Sequence, residues 1–315
     1  MNITITGSLG NISRRLAGTL AAKGHRVTVV SHSPERVKDI ERLHAIPAIG
    51  SVEDPGFLLD VFAHADAVYT MIPPNYSRAD LRAYMRTTGE GYARAIEKAG
   101  VGHVVNLSSV GAHLPDGPGP TGANHYVEER LNALTGTHVL HLRPGMFYTN
   151  FFGAMPMIAQ QHSIGNNFDA AVNIPLSHPQ DIASAAADAL DSCLFTGKNI
   201  RYVVSDEKSG GEIATILGQA IGLPDLAWVC FSDEALLQGM IQNGLTREMA
   251  TVYVVEIGIA LRNGMLAEDY RRSGDGASGS AEASRGAEVS GNPEAPGKTS
   301  FADFAKEFAA VYARN

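Results

Sequence analysis

A glycine-rich turn between a short apolar strand and a helix is the feature that most constrains this chain. Residues 3–6 form a predicted strand, and Gly7 and Gly10 follow it in the sequence Gly-Ser-Leu-Gly. Gly7 permits a tight turn, and the missing Cβ of Gly10 lets a diphosphate approach the amides that open the helix. A second predicted strand, residues 26–30, completes a strand–helix–strand unit. This context predicts dinucleotide binding rather than a chance glycine-rich turn.

The helix predicted over residues 12–23 presents unpaired N–H groups and the positive end of its dipole to an anion. The residues expected to hold the diphosphate are Gly7, Leu9, Gly10, Asn11 and Ile12. The third position of the glycine pattern carries Ser13. Because this position serves close packing of helix on strand, serine is a mild departure.

Strand and helix patterns alternate through the first half of the chain. Further apolar strands are predicted over residues 45–49, 67–72, 103–107 and 138–142, with helices between them. Such alternation is typical of a parallel sheet covered on both faces. Beyond residue 145 the pattern loosens into mixed helices and short strands. The predicted fold class is α/β, a Rossmann-type doubly wound parallel sheet with a smaller mixed α/β C-terminal cap.

These patterns divide the chain into four segments. Residues 1–150 are the predicted dinucleotide-binding domain, and residues 151–272 a cap whose cleft with the sheet holds the substrate. Residues 273–298 are rich in Gly, Ser, Ala and Glu without apolar periodicity, which predicts a flexible loop. Residues 299–315 carry phenylalanines at helical spacing, which predicts a helix docked on the body.

Charge and cysteine usage narrow the function classes. With 25 basic and 33 acidic residues the net charge is −8, which argues against a general nucleic-acid or anionic-membrane surface. Cys193 and Cys230 stand in no metal or redox spacing and are predicted to be buried thiols in a reducing compartment. A strand at the very start leaves no room for a signal peptide, and no stretch is long enough to span a membrane. We expect a cytoplasmic protein without a metal site.

Several further motifs carry a resemblance to a known family. They are Gly-Val-Gly-His-Val-Val-Asn-Leu-Ser-Ser at residues 100–109, His-Tyr-Val-Glu-Glu at 125–129, Leu-Arg-Pro-Gly-Met-Phe at 142–147 with Asn150, and Asp-Ile-Ala at 181–183. In this order the chain resembles the NmrA-like branch of the atypical short-chain dehydrogenase/reductases. Within that branch it is most similar to NAD(P)H-dependent quinone reductases and azoreductase-like proteins. The resemblance covers roughly residues 1–272 and the last helix.

The resemblance also implies positions for the two ends of the cofactor. On the adenine side it places Met71, Ile72 and Pro73. Near the nicotinamide it places Ser108, Gly145, Met146 and Phe147.

The end of the second strand bears on which dinucleotide binds. An NAD site usually places an acid there, but residues 31–36 read Ser-His-Ser-Pro-Glu-Arg. The hydroxyls of Ser31 and Ser33 and the guanidinium of Arg36 can hold a 2′-phosphate, and His32 stands where similar proteins often carry arginine. The sequence predicts NADPH over NADH. The alternative is that Arg36 is a solvated helix residue and that both cofactors bind.

The proton-transfer pair of typical dehydrogenases in this superfamily is missing. They use a tyrosine and a lysine four residues later, and these positions hold Pro120 and Asn124 when the helix is aligned by its Val-Glu pair. Tyr126 and Arg130, one helical turn apart, are out of register, and an arginine stays protonated. Two roles therefore remain for Tyr126: it is either a catalytic residue or a residue that packs in the pocket wall.

Two histidines are further catalytic candidates. Quinone-reductase-like members tend to show histidine at the position of His125, and an imidazole can do acid work near neutral pH. The alternative is a surface histidine at a helix start. His113 lies in the loop after the fifth strand and is the second of these candidates.

The missing proton-transfer pair also narrows the reaction. Reduction of a quinone gives a phenolic oxygen with a pKa of about 10, so solvent or one hydrogen bond can suffice to protonate or stabilise it.

Two functions follow from these observations. The first is an NAD(P)H-dependent reductase that transfers hydride to a quinone or related conjugated aromatic carbonyl compound, with a role in natural-product tailoring as one option. The second is a redox sensor that binds the dinucleotide and acts through a protein partner. The missing pair favours the sensor, and His125 favours the enzyme. A ketoreductase using Tyr126 is a third option, and a homodimer remains open.

Overall fold

A computed structural model describes residues 1–75, 77–273 and 298–314. It divides the chain into two units. The first comprises Met1–Arg143 and Ile182–Val203, and the second Pro144–Asp181 and Val204–Asn315. Apart from its two end residues, the predicted flexible loop at 273–298 lies outside the described residues.

The strands of the described chain are short and fall in both units. In chain order they are β1 (Asn2–Ile5), β2 (Arg26–Ser31), β3 (Ile46–Ile49), β4 (Ala67–Thr70), β5 (His103–Leu107), β6 (His138–Pro144), β7 (Met146–Phe147), β8 (Ser163–Asn166), β9 (Asn173–Ser177), β10 (Lys198–Val203), β11 (Asp206–Ser209) and β12 (Ala227–Cys230).

The α-helices of the described chain alternate with the strands as far as β6. They are α1 (Ser13–Ala22), α2 (Val37–Glu41), α3 (Pro55–Phe62), α4 (Leu81–Ala99), α5 (Thr121–Asn132), α6 (Met155–Gln161), α7 (Pro179–Ser192), α8 (Gly210–Ile221), α9 (Asp233–Gln242), α10 (Arg247–Met249), α11 (Glu256–Arg262), α12 (Glu268–Arg272) and α13 (Phe301–Tyr312).

The first unit is built on a seven-stranded sheet in the order β10-β6-β5-β4-β1-β2-β3. The pairings that run from β3 to β6 are parallel. This arrangement confirms the predicted doubly wound α/β class. One strand was misplaced by the sequence patterns, which put residues 201–204 in the cap. In the structure β10 extends the main sheet beside β6, a pairing between segments too distant in sequence to be read from local pattern.

Capping residues set the N-terminal boundaries of α3 and α4 in the first unit. The Asp54 carboxylate accepts hydrogen bonds from two backbone amides at the start of α3, and Asp80 caps α4 through the amide of Ala83. Gly100 ends α4 in the left-handed conformation, with φ of +67°. One core cluster lies among the sheet, α3, α4 and α5, and includes Leu58, Phe62, Tyr92, Val104 and Val127.

The second unit is organised around its last helix. Phe301, Phe304 and Phe308 on α13 are fully buried, and the ring of Tyr148 packs edge-on against Phe301 at 5.1 Å between centroids. The carboxylate of Asp181 accepts hydrogen bonds from the backbone N–H and hydroxyl of Thr299, at 2.9 Å each. The phenylalanine stripe therefore packs as core, as its spacing predicts.

One predicted helix of the second unit is interrupted. In place of a continuous helix over residues 246–263, α10 and α11 are separated by a π-helical segment, Ala250–Val255. The amide nitrogen of the buried Asn167 side chain donates to the carbonyl of Val255 at 3.0 Å. This side chain supplies a partner for a backbone group in the interrupted segment, a contact that helical periodicity cannot reveal.

The prediction of two buried thiols is wrong for Cys230, which is exposed, while Cys193 is half-buried. Cys230 ends β12, which belongs to a sheet of only two strands. Among the described residues no single helix is long and apolar enough to cross a membrane. The stretches Arg247–Arg262 and Met265–Arg272 meet that criterion only together, with a bend of 79° between them.

A buried chain of hydrogen bonds crosses the sheet of the first unit. The Thr70 hydroxyl donates to Asn106 Oδ1 at 2.9 Å, and Asn106 Nδ2 donates to His141 Nδ1 at 3.1 Å. His141 Nε2 in turn donates to Asn132 Oδ1 at 3.0 Å. Because Nδ1 accepts, His141 is neutral in this chain, and burial lowers its pKa to about 4.

This histidine should make stability depend on pH. Unfolded His141 titrates near its ordinary pKa of about 6.5, so the unfolded state binds more protons than the folded state between pH 6.5 and pH 4. Stability should fall as the pH decreases through this range, by about 2 kcal/mol between pH 7 and pH 5 from this site. In urea unfolding, the free energy of unfolding of His141→Gln should therefore fall less between pH 7 and pH 5 than that of the wild type, by about 2 kcal/mol. The exposed His64→Gln is the control, and equal losses in all three proteins would contradict the assignment.

Candidate functional site

The turn between β1 and α1 needs glycine at its first position. Gly7 has φ of +92°, and Ser8 after it has φ of +53°. A Cβ on Gly7 would lie 2.6 Å from Met71 Cγ and Sδ and 2.8 Å from Ser13 Oγ. The Ser13 hydroxyl donates to the Thr6 carbonyl at 2.9 Å, which provides the close packing of helix on strand that this position requires.

The N-terminus of α1 lacks the usual stabilising side chains. The residue at its N-cap, Ile12, makes no side-chain cap, and the first turn contains no acid. Instead Arg14 and Arg15 occupy that turn, where the helix dipole disfavours cations. Its amides are therefore suited to an external anion.

The five residues expected to hold the diphosphate differ in exposure. Gly10 and Asn11 are exposed, whereas Gly7 and Leu9 are half-buried. The side chain of Ile12 is 6% exposed, so only its backbone can serve a ligand.

The end of β2 lies against the glycine turn. The Ser8 hydroxyl donates to Ser31 Oγ at 2.9 Å, and the backbone N–H of Ser33 donates to the same oxygen at 3.2 Å. His32 and Arg36 are exposed, and the Arg36 guanidinium lies 3.8 Å from the Asp39 carboxylate. The structure thus places the end of β2, through Ser31, beside the glycine turn.

The loop after β4 borders the same turn. Met71, Ile72 and Pro73 are half-buried, and the Met71 side chain lies where a Cβ on Gly7 would stand. The resemblance assigns these three residues to the adenine side, and their position beside the turn is compatible with that assignment.

The end of β5 holds a polar network that the sequence did not reveal. The Ser108 hydroxyl donates to Glu128 Oε1 at 2.5 Å. Glu128 also accepts from Arg143, at 3.0 Å from Nε and 2.6 Å from Nη2, and both charged side chains are 4% exposed. The Ser108 proton is therefore committed to a buried carboxylate. Ser109, the next residue, is half-buried and is a candidate that the sequence reasoning left unassigned.

The catalytic candidates on α5 face different surroundings. His125 Nδ1 donates to the Ala112 carbonyl at 2.9 Å, and because a carbonyl only accepts, this contact leaves Nε2 for a ligand. The Tyr126 hydroxyl lies 3.4 Å from Glu90 Oε2, the oxygen that also accepts from Arg130 at 2.6 Å. Tyr126 thus belongs to an ionic cluster between α4 and α5. His113 lies in the loop between β5 and α5, with both ring nitrogens buried.

Gly145, Met146 and Phe147 belong to the second unit. The Gly145 N–H donates to Ser177 Oγ at 2.8 Å, and a Cβ there would lie 2.2 Å from the Pro175 carbonyl. Met146 and Phe147 form β7 beside β9, and both are half-buried. A close approach of β9 therefore explains the glycine.

Comparison with known families identifies the first part of the chain. Residues 7–151 match the NAD(P)H-binding family. This segment is similar to NAD(P)H-binding domains over 145 of the 315 residues. The match begins at the first glycine of the turn, and it includes the end of β2 and the loop after β4. A comparison with curated protein sequences gives no significant match.

Solved structures share the fold of the whole chain at low sequence identity. A nucleoside-diphosphate-sugar epimerase from Staphylococcus aureus has a TM-score of 0.76 at 16% identity, over 97% of this chain and 100% of its own. A triphenylmethane reductase from Citrobacter sp., complexed with NADP(H), has a TM-score of 0.74 at 18% identity, over 84% and 92%. An NADPH-dependent quinone oxidoreductase from Escherichia coli has a TM-score of 0.74 at 16% identity, over 97% and 98%.

Among the described residues no group of three or more histidine, cysteine or carboxylate side chains could hold a metal ion. The uncapped helix and the glycine that admits no Cβ fit the diphosphate of an NAD(P)H-binding domain.

Gly7→Ala tests this turn. The added Cβ would collide with Met71 and Ser13, and the alanine would have to keep the left-handed backbone conformation of Gly7. We therefore expect the free energy of unfolding to fall by about 2–4 kcal/mol and the affinity for NADPH to fall at least about tenfold. Gly24→Ala is the matched control, because Gly24 has φ of +85° and no atom within 4 Å of a built Cβ. It should lose only about 1 kcal/mol and keep wild-type affinity. Calorimetric titration and thermal unfolding measure both, and equal effects of the two variants would contradict the role of the turn.

Proposed function

We propose that this chain is an NADPH-dependent reductase that transfers hydride to a quinone or a related conjugated aromatic carbonyl compound. The NAD(P)H-binding domain carries the proposal, because its glycine turn and uncapped helix provide for the diphosphate. The fold shared with an NADPH-dependent quinone oxidoreductase and a triphenylmethane reductase supports it.

The preference for NADPH rests on the end of β2. Ser31, at the end of this strand, is buried and accepts two hydrogen bonds, so no carboxylate stands there to repel a 2′-phosphate. Arg36 and His32 are exposed beside it, and Ser33 offers a hydroxyl. A guanidinium is well suited to a phosphate because it can donate two parallel hydrogen bonds.

Bound NADPH supplies the hydride, and the chain supplies position and a proton. The Nδ1 contact with Ala112 orients the His125 ring, so that Nε2 can donate to an acceptor oxygen when the imidazole is protonated. The hydroxyl of Ser108 already donates to Glu128. The neighbouring Ser109 is therefore the serine that we propose for a second polar contact with the substrate at the end of β5. Tyr126 is left out of the proposal since its hydroxyl faces Glu90.

A weak proton donor is sufficient for this class of acceptor. Hydride addition to a quinone leaves a phenolic oxygen with a pKa of about 10, whereas an isolated ketone would give a far more basic alkoxide. Positions 120 and 124, a proline and an asparagine, cannot supply the acid of a typical ketone reductase. The proposal therefore favours conjugated, electron-poor acceptors, for which orientation and exclusion of water contribute most.

Turnover with a panel of quinones tests the proposal. Wild-type protein should consume NADPH in the presence of at least one quinone, and His125→Gln should lower kcat roughly 10- to 100-fold if His125 acts as the proton donor. Tyr126→Phe should keep the wild-type rate, which would remove the ketoreductase alternative. His64→Gln is the control for replacing a histidine. Tight NADPH binding without turnover of any acceptor would instead favour a redox sensor that acts through a protein partner.

A further inference from the structure

Two tyrosine hydroxyls of one helix hold the loop that follows β4. The Tyr92 hydroxyl donates to the Met71 carbonyl at 2.8 Å, and the Tyr84 hydroxyl donates to the Pro73 carbonyl at 3.0 Å. Both tyrosines lie on α4 and are separated by about two turns, so they share one face of the helix. Tyr92 is fully buried and Tyr84 is 8% exposed.

The strand on the other side of Met71 completes the support. The Met71 backbone N–H donates to the Thr6 hydroxyl at 2.8 Å, and the same hydroxyl lies 3.0 Å from the Met71 carbonyl. Thr6 directly precedes Gly7. Met71 is therefore held through its N–H and its carbonyl, with its side chain against the glycine turn.

The sequence of this loop explains why it needs outside support. Pro73 and Pro74 have no backbone N–H and cannot donate to neighbouring strands. The carbonyl of Pro73 finds its partner in the tyrosine hydroxyl of α4. Burial raises the pKa of both tyrosines, so both hydroxyls stay protonated as donors.

We propose that Tyr84 and Tyr92 are positioning residues for the adenosine half of the bound cofactor. The proposal rests on the proposed function and on the adenine-side position that the resemblance implies for Met71, Ile72 and Pro73. The tyrosines act through the loop and need not touch the cofactor themselves. By fixing the loop before binding, they reduce the conformational entropy that binding would otherwise cost.

Tyrosine-to-phenylalanine variants test this role because they keep the ring packing and remove only the hydroxyl. The affinities of the full chain for NADPH and for 2′,5′-ADP, which carries only the adenosine half, are measured by calorimetry. We expect Tyr84→Phe and Tyr92→Phe each to weaken both ligands about three- to tenfold, and the double variant to weaken them further.

Tyr69→Phe is the matched control. Tyr69 is also fully buried, it lies on β4 just before the loop, and its hydroxyl has no hydrogen-bond partner among the residues that the structure describes. This variant should keep wild-type affinity for both ligands. Circular dichroism establishes that all variants are folded.

Hydrogen exchange gives a second readout. In the absence of ligand, the amides of Met71 and Ile72 should exchange faster in the Tyr84→Phe/Tyr92→Phe variant than in wild type or Tyr69→Phe. Saturation with NADPH should restore their protection.

Unchanged affinity for NADPH and 2′,5′-ADP in a folded double variant would overturn the positioning role and leave the reductase proposal standing. The same holds if Tyr69→Phe weakens both ligands as much as the other variants do. A wild-type chain that binds neither ligand would overturn both proposals.

Discussion

The rest of the first unit depends on how the N-terminus of α1 is left open. A helix normally satisfies its first amides with a capping side chain or an acid in the first turn, and α1 has neither. Gly7 and Ser8 adopt positive φ to bring the chain from β1 into this helix. The neighbouring segments pack around that geometry: Met71 fills the space beside Gly7, and Ser8 bonds to the end of β2. An anion at this helix end would meet the positive end of the helix dipole, which no capping side chain or first-turn acid compensates.

Some polar side chains near the candidate site are engaged in buried networks, and these differ from the polar side chains that remain accessible to a ligand. Glu128 and Arg143 form a buried ion pair, and Glu128 also accepts the hydrogen bond of the Ser108 hydroxyl, while His141 belongs to a neutral chain across the sheet. Removing one partner of such a pair leaves an uncompensated buried charge, so these groups serve structure first. What remains accessible at this edge is half-buried, namely Ser109 and His125.

Local chemistry made much of the fold predictable. Glycines, caps and apolar periodicity predicted β1, α1 and β5 to within a residue. Two long-range contacts could not be predicted from local sequence. One is the pairing of β10 with β6, and the other is the hydrogen bond from Asn167 to the π-helical segment. In the candidate site, the sequence indicated the glycine turn. It did not indicate that Ser108, rather than Ser109, donates its hydroxyl hydrogen bond to a buried carboxylate. That depends on Glu128 from another element, and no pattern within one segment reports it.

Calorimetric titration of the full chain with NADPH and with NADH tests the central claim most directly, because it asks whether the open helix end and the β2 end act as one cofactor site. One NADPH should bind per chain, more tightly than NADH, since Ser31 stands at the end of β2 in place of an acid and His32 and Arg36, which follow it, are exposed. Equal affinities would contradict the phosphate preference. Failure of both dinucleotides to bind would contradict the account as a whole.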